Sequence, residues 1–338
     1  TANLSAATDN VGTITGALTS GDTTDDTALV LSGTNETGSS VKVYDNNTVI
    51  DNATVSGTSW SYTATVVDGT TYQFNVMETD LAGNTSAATS NFAVTGDTTP
   101  PTVSSVAITS ATGIQNNFLN AGDNVSLTAT FSENVPVTGT PQLPMVIGGD
   151  NLTATYTSGS GSTALVFKYT ILAGETDTDG ISIGANVLAL NSGTIRDAAG
   201  NNATLTHSSV SDNTSYKVDT TAPTVSWSAA TDNVGTVTGA LTSGDTTDDT
   251  ALVLSGTNES GSSVKVYNSS TELGNATVSG TSWSYTATVA NGTTYQFNVK
   301  ATDLAGNTSV ATSNFAVTGD TTAPTANLSA ATDNVGNI

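Results

Sequence analysis

The sequence holds 338 residues, 29 of them acidic and six basic, for a net charge of −23. That length accommodates two or three domains. The charge excludes a nucleic-acid partner and docking on anionic lipid, both of which need Lys and Arg. With no cysteine there is no disulfide, no iron–sulfur cluster and no thiolate zinc site. No run of about 20 apolar residues is present to span a membrane, and no signal peptide is expected from the residues at Thr1.

Internal repetition dominates the chain order. Residues 5–97 align without a gap on 228–320, at an offset of 223, with 13 differences in 93 positions. The expected division is therefore a first module at 1–98, a different middle module at 99–220, a copy of the first at 221–321, and the first strand of a further repeat at 322–338. Start and end fall in the same repeated phrase, Thr-Asp-Asn-Val-Gly at Thr8–Gly12 and Thr332–Gly336, as expected of a piece of a longer array. Segments 28–33, 40–44, 59–66, 71–76 and 91–94 of the first module read as strands, several alternating with period two. Turn clusters such as Asp45-Asn46-Asn47 and Asp68-Gly69 separate them. Seven short strands in about 100 residues fit an immunoglobulin-like sandwich, with Trp60 and Trp283 in the cores. In the middle module Val125, Leu127, Ala129 and Phe131 alternate inward, as do Leu165, Phe167, Tyr169 and Ile171, and 181–183 and 216–218 supply later strands. The fold class is all-β: tandem immunoglobulin-like sandwiches, expected as an extended rod of roughly 120 Å at about 3.3 Å per strand residue.

Antiparallel up-and-down running places the acids. In the first module Asp9, Asp22, Asp25 and Asp26 fall between the first two strands, at the trailing end with Asp97. Glu36 and Asp80 fall at the leading end. In the middle module Glu133 and Asp197, the latter in Asp197-Ala198-Ala199-Gly200-Asn201, should face back to the first module. Glu175, Asp177 and Asp179 should face the third, with Asp123 and Asp219. The third module repeats the set as Asp232, Asp248, Asp249, Glu259, Asp303 and Asp320. Asp45, Asp51, Asp68 and Glu78 become Asn268, Gly274, Asn291 and Ala301 in that copy, losses read as turn and strand-face changes.

Carboxylates crowded at a joint repel unless a cation sits among them. Six to eight hard oxygens suit Ca²⁺ better than the tight octahedron of Mg²⁺. Two full Ca²⁺ joints are expected, near 97 and 219, with a half-built third near 320. Their ligands are drawn from Asp9, Asp25, Asp26, Asp80, Asp97, Glu133, Asp177, Asp179, Asp197, Asp219, Asp232, Asp248, Asp249, Glu259, Asp303 and Asp320. The competing reading is a merely solvated acidic surface.

Catalysis is not expected. His207 is the sole histidine and reads as an exposed strand residue. Asp177–Gly180 is too short for an EF-hand loop, which needs a Glu at its twelfth position. Paired glycosidase carboxylates would need a walled cleft. Asn-x-Ser/Thr triplets such as Asn151-Leu152-Thr153 arise by chance in so Asn- and Thr-rich a chain.

Asp-x-Ala-Gly-Asn, Asp-Thr-Thr-Ala-Pro, Thr-Asp-Asn-Val-Gly, Thr-Thr-Asp-Asp-Thr and Gly-Thr-Ser-Trp-Ser-Tyr together resemble bacterial Ig-like repeats. Such repeats build the extender regions of giant biofilm adhesins, many secreted by type I systems with RTX C-termini. The resemblance covers 5–97 and 228–320, and the middle module is similar to a related variant. It implies an extracellular, monomeric stalk at the bacterial surface, stiffened by interdomain calcium through contacts between adjacent repeats, with gripping done by a distal domain. Two other classes stay open: a middle module that itself binds a glycan or protein, and an accessory region of an enzyme.

Overall fold

The computed structural model describes residues 1–332 and Val335, and among these every regular element is a β-strand. The chain forms two compact units. One comprises 1–112, 123–171 and 179–214; the other comprises 113–122, 172–178 and 215–338.

In the first unit, residues 1–98 form a two-sheet sandwich. One sheet runs in the order Gly16–Ala17, Ala6–Asp9, Ala28–Thr34, Ser59–Thr65, Thr54–Ser56. The other runs Asp22–Thr24, Phe92–Gly96, Thr71–Thr79, Ser40–Asp45, Thr48–Asn52, with Asp22–Thr24 pairing parallel to Phe92–Gly96. Period-two alternation puts Leu29, Leu31, Val41, Val43, Trp60, Ala64, Phe74, Val76 and Val94 inside, in one cluster. Trp60 Nε1 donates to the Asn3 carbonyl at 2.9 Å, directly over Gly33. A Cβ at Gly33 would collide with that carbonyl and stand 2.8 Å from Trp60 Nε1. Gly33→Ala should therefore cost about 1–3 kcal/mol by overpacking, read as a lowered urea midpoint with an unchanged m-value.

The same unit carries a five-stranded antiparallel sheet in the order Val103–Thr112, Asn124–Val135, Ser162–Thr170, Asp150–Ser158, Gln142–Ile147. Val125, Leu127, Ala129, Phe131, Leu165, Phe167 and Ile171 are buried, and Tyr169 is half-buried. The expected strand at 181–183 is reduced to isolated bridges, Val146↔Ser182 and Ile183↔Val210. His207 is a correction: it is buried and lies outside any strand. Its Nε2 accepts from the Val187 and Leu188 backbone N–H groups at 3.0 and 3.3 Å, leaving Nδ1–H to donate to the Ser208 carbonyl at 2.9 Å. An imidazole can bracket backbone donors and acceptors in a segment that has no sheet ladder to satisfy them.

In the second unit Phe118–Leu119, Lys217–Asp219 and Thr176–Asp177 form a three-stranded sheet. The sandwich of the first module is rebuilt with Val225–Asp232, Ala251–Asn258 and Ser282–Thr288 in one sheet and Thr294–Thr302, Phe315–Gly319 and Ser263–Asn268 in the other. Its core contains Leu252, Leu254, Trp283, Phe297 and Val299. Trp227 stands where the first copy has Leu4, stacked on Phe315 at 5.0 Å and edge-on to Trp283 at 5.7 Å. No strand forms over 322–332, where a lone segment has no ladder to join. The remainder of the strand expected there, 333, 334 and 336–338, lies outside the described residues.

Candidate metal centre

Three carboxylates meet in the first unit. Asp97 directly follows Phe92–Gly96, the last strand of the first sandwich, Glu133 lies in Asn124–Val135, and Asp197 opens the Asp-Ala-Ala-Gly-Asn turn. One oxygen from each falls within 4.8 Å of the other two. Asp197 is 1% exposed, and the local turn fixes it. Its Oδ1 accepts the Gly200 and Asn201 N–H groups at 2.7 and 2.9 Å, and its Oδ2 accepts Asn201 Nδ2 at 2.8 Å. Asn201 Nδ2 also donates to the Asp97 carbonyl at 2.9 Å, tying this turn to the segment that leaves the first sandwich. Gly200, at φ +105°, lets the turn close against Thr13 and Ile14, and Thr13 Oγ1 donates to its carbonyl at 2.7 Å.

The electrostatics record the crowding. Burial pushes the Glu133 carboxyl up, and the charges of Asp97, Asp197 and Asp68 push it further. Asp97 is raised by burial, then by Asp197 and Asp68, against a lowering N–H bond from Thr99. Asp25 is raised by burial and by Asp9, with Asp197 and Asp26 adding to it. Its Oδ1 is buried with no hydrogen-bond partner, while its carboxylate presses against Gly12, where any Cβ would overlap it. A buried carboxylate oxygen without a donor is costly unless a cation serves it. The donor set, three convergent carboxylates with a fourth alongside, is hard oxygen throughout and fits Ca²⁺.

Asp9 and Asp26, expected as ligands, fasten loops within the first sandwich. Asp9 accepts Thr24 Oγ1 at 2.6 Å and the Val11 N–H at 3.0 Å. Asp26 accepts the Ala28 N–H at 2.8 Å and the Asn10 N–H at 3.2 Å. Both are buried, so their charge is held by the donors of their own loop. Asp80 serves its own turn, bonded to Ala82 N–H, Asn84 N–H and Asn84 Nδ2, each at 2.8 Å. The Asn84 bonds hold its carboxyl below the usual range.

In the second unit Asn307 Nδ2 donates to the Asp219 carbonyl at 2.7 Å and to Asp303 Oδ2 at 3.0 Å, reproducing the Asn201 arrangement. Glu259 accepts the Thr224 N–H at 3.4 Å, and Asp177 is buried in the strand pairing with Lys217–Asp219. Asp179 belongs to the first unit and is exposed. Among the described residues no second set of three ligand oxygens converges as the first does. Asp232 and Asp249 repeat the fasteners, accepting Thr247 Oγ1 at 2.7 Å and the Ala251 N–H at 2.8 Å. Asp232, Asp245, Asp248 and Asp320 line an open pocket of about 450 Å³.

Sequence reasoning missed Asp68. It accepts the Thr98 N–H at 2.6 Å and Thr99 Oγ1 at 2.9 Å, bonds that hold its carboxyl below the usual range, Thr98 first. Its place in the turn before Thr71–Thr79, at the trailing end of the sandwich, was the available signal. The change to Asn291 in the copy obscured it.

The chain is 31% identical over 275 residues to Exoglucanase B of Cellulomonas fimi, covering 77% of this chain and 21% of that protein. It thus spans about a fifth of the length of that curated relative. Among solved structures it is similar to the Bacteroides ovatus mixed-linkage glucan utilization locus SGBP-B in complex with a mixed-linkage heptasaccharide (15% identity, 95% of this chain and 70% of that one, TM-score 0.20). It is also similar to the fibronectin(III)-like modules of Clostridium thermocellum CbhA (13% identity, 60% and 90%, TM-score 0.28). The bacterial Ig-like domain model matches residues 1–98 and 220–321, the same two stretches that fold as duplicate sandwiches, and the chain therefore belongs to the bacterial Ig-like domain family.

Proposed function

We propose that this chain is a structural segment of a bacterial surface adhesin whose joint between residues 1–98 and the sheet that follows is fastened by Ca²⁺. Asp97, Glu133 and Asp197 would hold the ion, with Asp25 beside them. Bound calcium offsets half of the charge of the four acids and links elements that come from both sides of the joint. The observation that carries this reading is the convergence of three carboxylates within 4.8 Å; Asp25, raised by burial and in part by the charge of Asp197, adds a buried oxygen with no partner. The segment acts mechanically, has no catalytic role, and stands outside the cell as one stretch of a longer stalk that carries a separate ligand-binding region.

Calorimetric titration of the chelated protein with CaCl₂ tests it. The expected result is saturable binding and a rise in the melting temperature. At a hundredfold excess over Kd the stabilisation is about 2.7 kcal/mol, or roughly 5–11 °C for a unit of this size. No heat and no shift would remove the reading.

A second reading has its own support: the relative named as an exoglucanase and the similar glucan-complexed protein are both tied to carbohydrate by name. On it the chain is an accessory region of a carbohydrate-active protein, or its middle part grips a glycan. Retention on immobilised β-glucan, insensitive to chelation, would favour that reading.

A further inference from the structure

Asn291-Gly292 is the one Asn-Gly dipeptide in the chain, and the first copy has Asp68-Gly69 at the same place. The two turns are held alike. Gly292 N–H donates to the Gly319 carbonyl at 2.8 Å, as Gly69 N–H does to Gly96. Thr321 N–H donates to Asn291 Oδ1 at 2.8 Å, as Thr98 N–H does to Asp68 Oδ1. The position therefore accepts an amide or a carboxylate with one set of partners.

From this geometry we propose that Asn291 is a site of spontaneous conversion to aspartate, assisted by the Thr321–Thr322 segment. In the first step the Gly292 backbone nitrogen attacks Asn291 Cγ. A C–N bond forms, the Gly292 nitrogen gives up its proton, and the side-chain amide leaves as ammonia, giving a five-membered imide. Water then opens the imide, and breaking the new C–N bond restores the Gly292 peptide with a carboxylate at 291. No oxidant or metal enters. Both residues are exposed, and Gly292, at φ +70°, has no side chain to block the approach.

The surroundings favour the step where charge develops. The Thr321 N–H already points at Oδ1, the oxygen that turns anionic in the tetrahedral intermediate, as an oxyanion donor would. Thr322 Oγ1 accepts from Nδ2, the departing nitrogen, at 3.0 Å and donates to Oδ1 at 3.3 Å, so the hydroxyl adds a second donor to the oxygen that turns anionic and holds the leaving amide in place. Attack first requires release of Gly292 N–H from the carbonyl of Gly319, a single bond made by an exposed turn residue to a buried one. The product would carry the acid of the first copy, one charge more beside Asp320.

The test is incubation of the intact chain at mildly alkaline pH, followed by peptide mass mapping and native isoelectric focusing. The readout needs no metal, so it stands apart from the calcium reading. The expected result is the mass gain of an amide-to-acid exchange at Asn291, faster than at any other asparagine, and an acidic shift of one charge. Thr322→Val should slow it without altering the melting temperature. An Asn291 that stays intact in the native chain, while the urea-unfolded chain converts, would overturn the proposal, as would a Thr322→Val rate equal to that of the parent.

Discussion

Asp197→Ala should be the most damaging carboxylate substitution in the first unit, costing about 3 kcal/mol even without calcium. The residue is 1% exposed and accepts two backbone N–H groups and the Asn201 amide. Truncation leaves those donors buried and unmade, a loss on the order of 1–3 kcal/mol for a neutral group and more where the acceptor was charged. It also frees Asn201 from the turn through which it reaches the Asp97 carbonyl. Glu133→Gln is the informative contrast. Its carboxyl is raised by burial and by the charges of Asp97, Asp197 and Asp68. Neutralising it relieves repulsion, so the metal-free protein should become slightly more stable while its response to calcium disappears. Urea denaturation of both variants with and without chelator separates the two effects. An Asp197→Ala variant as stable as the parent would show that the turn does not depend on its acid.

The second large effect is a reversal of pH dependence on adding calcium. Asp25, Asp97 and Glu133 are each raised, with burial the leading cause in every case. A carboxyl whose folded pKa exceeds its unfolded value binds more protons when folded in the window between the two. The slope of unfolding free energy with pH is negative there. The metal-free unit should therefore lose stability as pH rises from the ordinary carboxylate range, about pH 4, toward neutrality. Asp68, Glu78 and Asp80 are lowered and contribute the opposite sign, but they do so below the ordinary carboxylate range and so leave the slope above it in place. With calcium the protons compete with the ion for the same oxygens, so stability should instead rise toward neutral pH. Melting curves across pH 4–7, with chelator and with calcium, read the two slopes. Identical slopes would mean that the acids hold no metal.

How much of this was legible in the chain follows from the range of each interaction. Period-two alternation is local, and Leu29, Val43, Trp60 and Phe74 are buried as their spacing requires. Strand order along an up-and-down sandwich is also implied by the chain, which is why Asp97, Glu133 and Asp197 could be assigned to one joint although up to 100 residues separate them. What alternation leaves undetermined is which acids a loop consumes for itself. Asp9, Asp25 and Asp26 are near neighbours of similar composition, yet two are capped by their own loop and one is left with a bare oxygen.

The sequence alone determined the all-β class, the duplicated sandwich and the end of each domain at which acids gather, because each depends on side-chain period and chain direction. Tertiary structure decided which of those acids face one another: hydrogen-bond donors from neighbouring turns claim some carboxylates and leave others free. It also showed His207 to be an internal brace rather than an exposed strand residue, since its two ring nitrogens meet backbone groups about 20 residues back and one residue on, a pairing with no signature in local spacing.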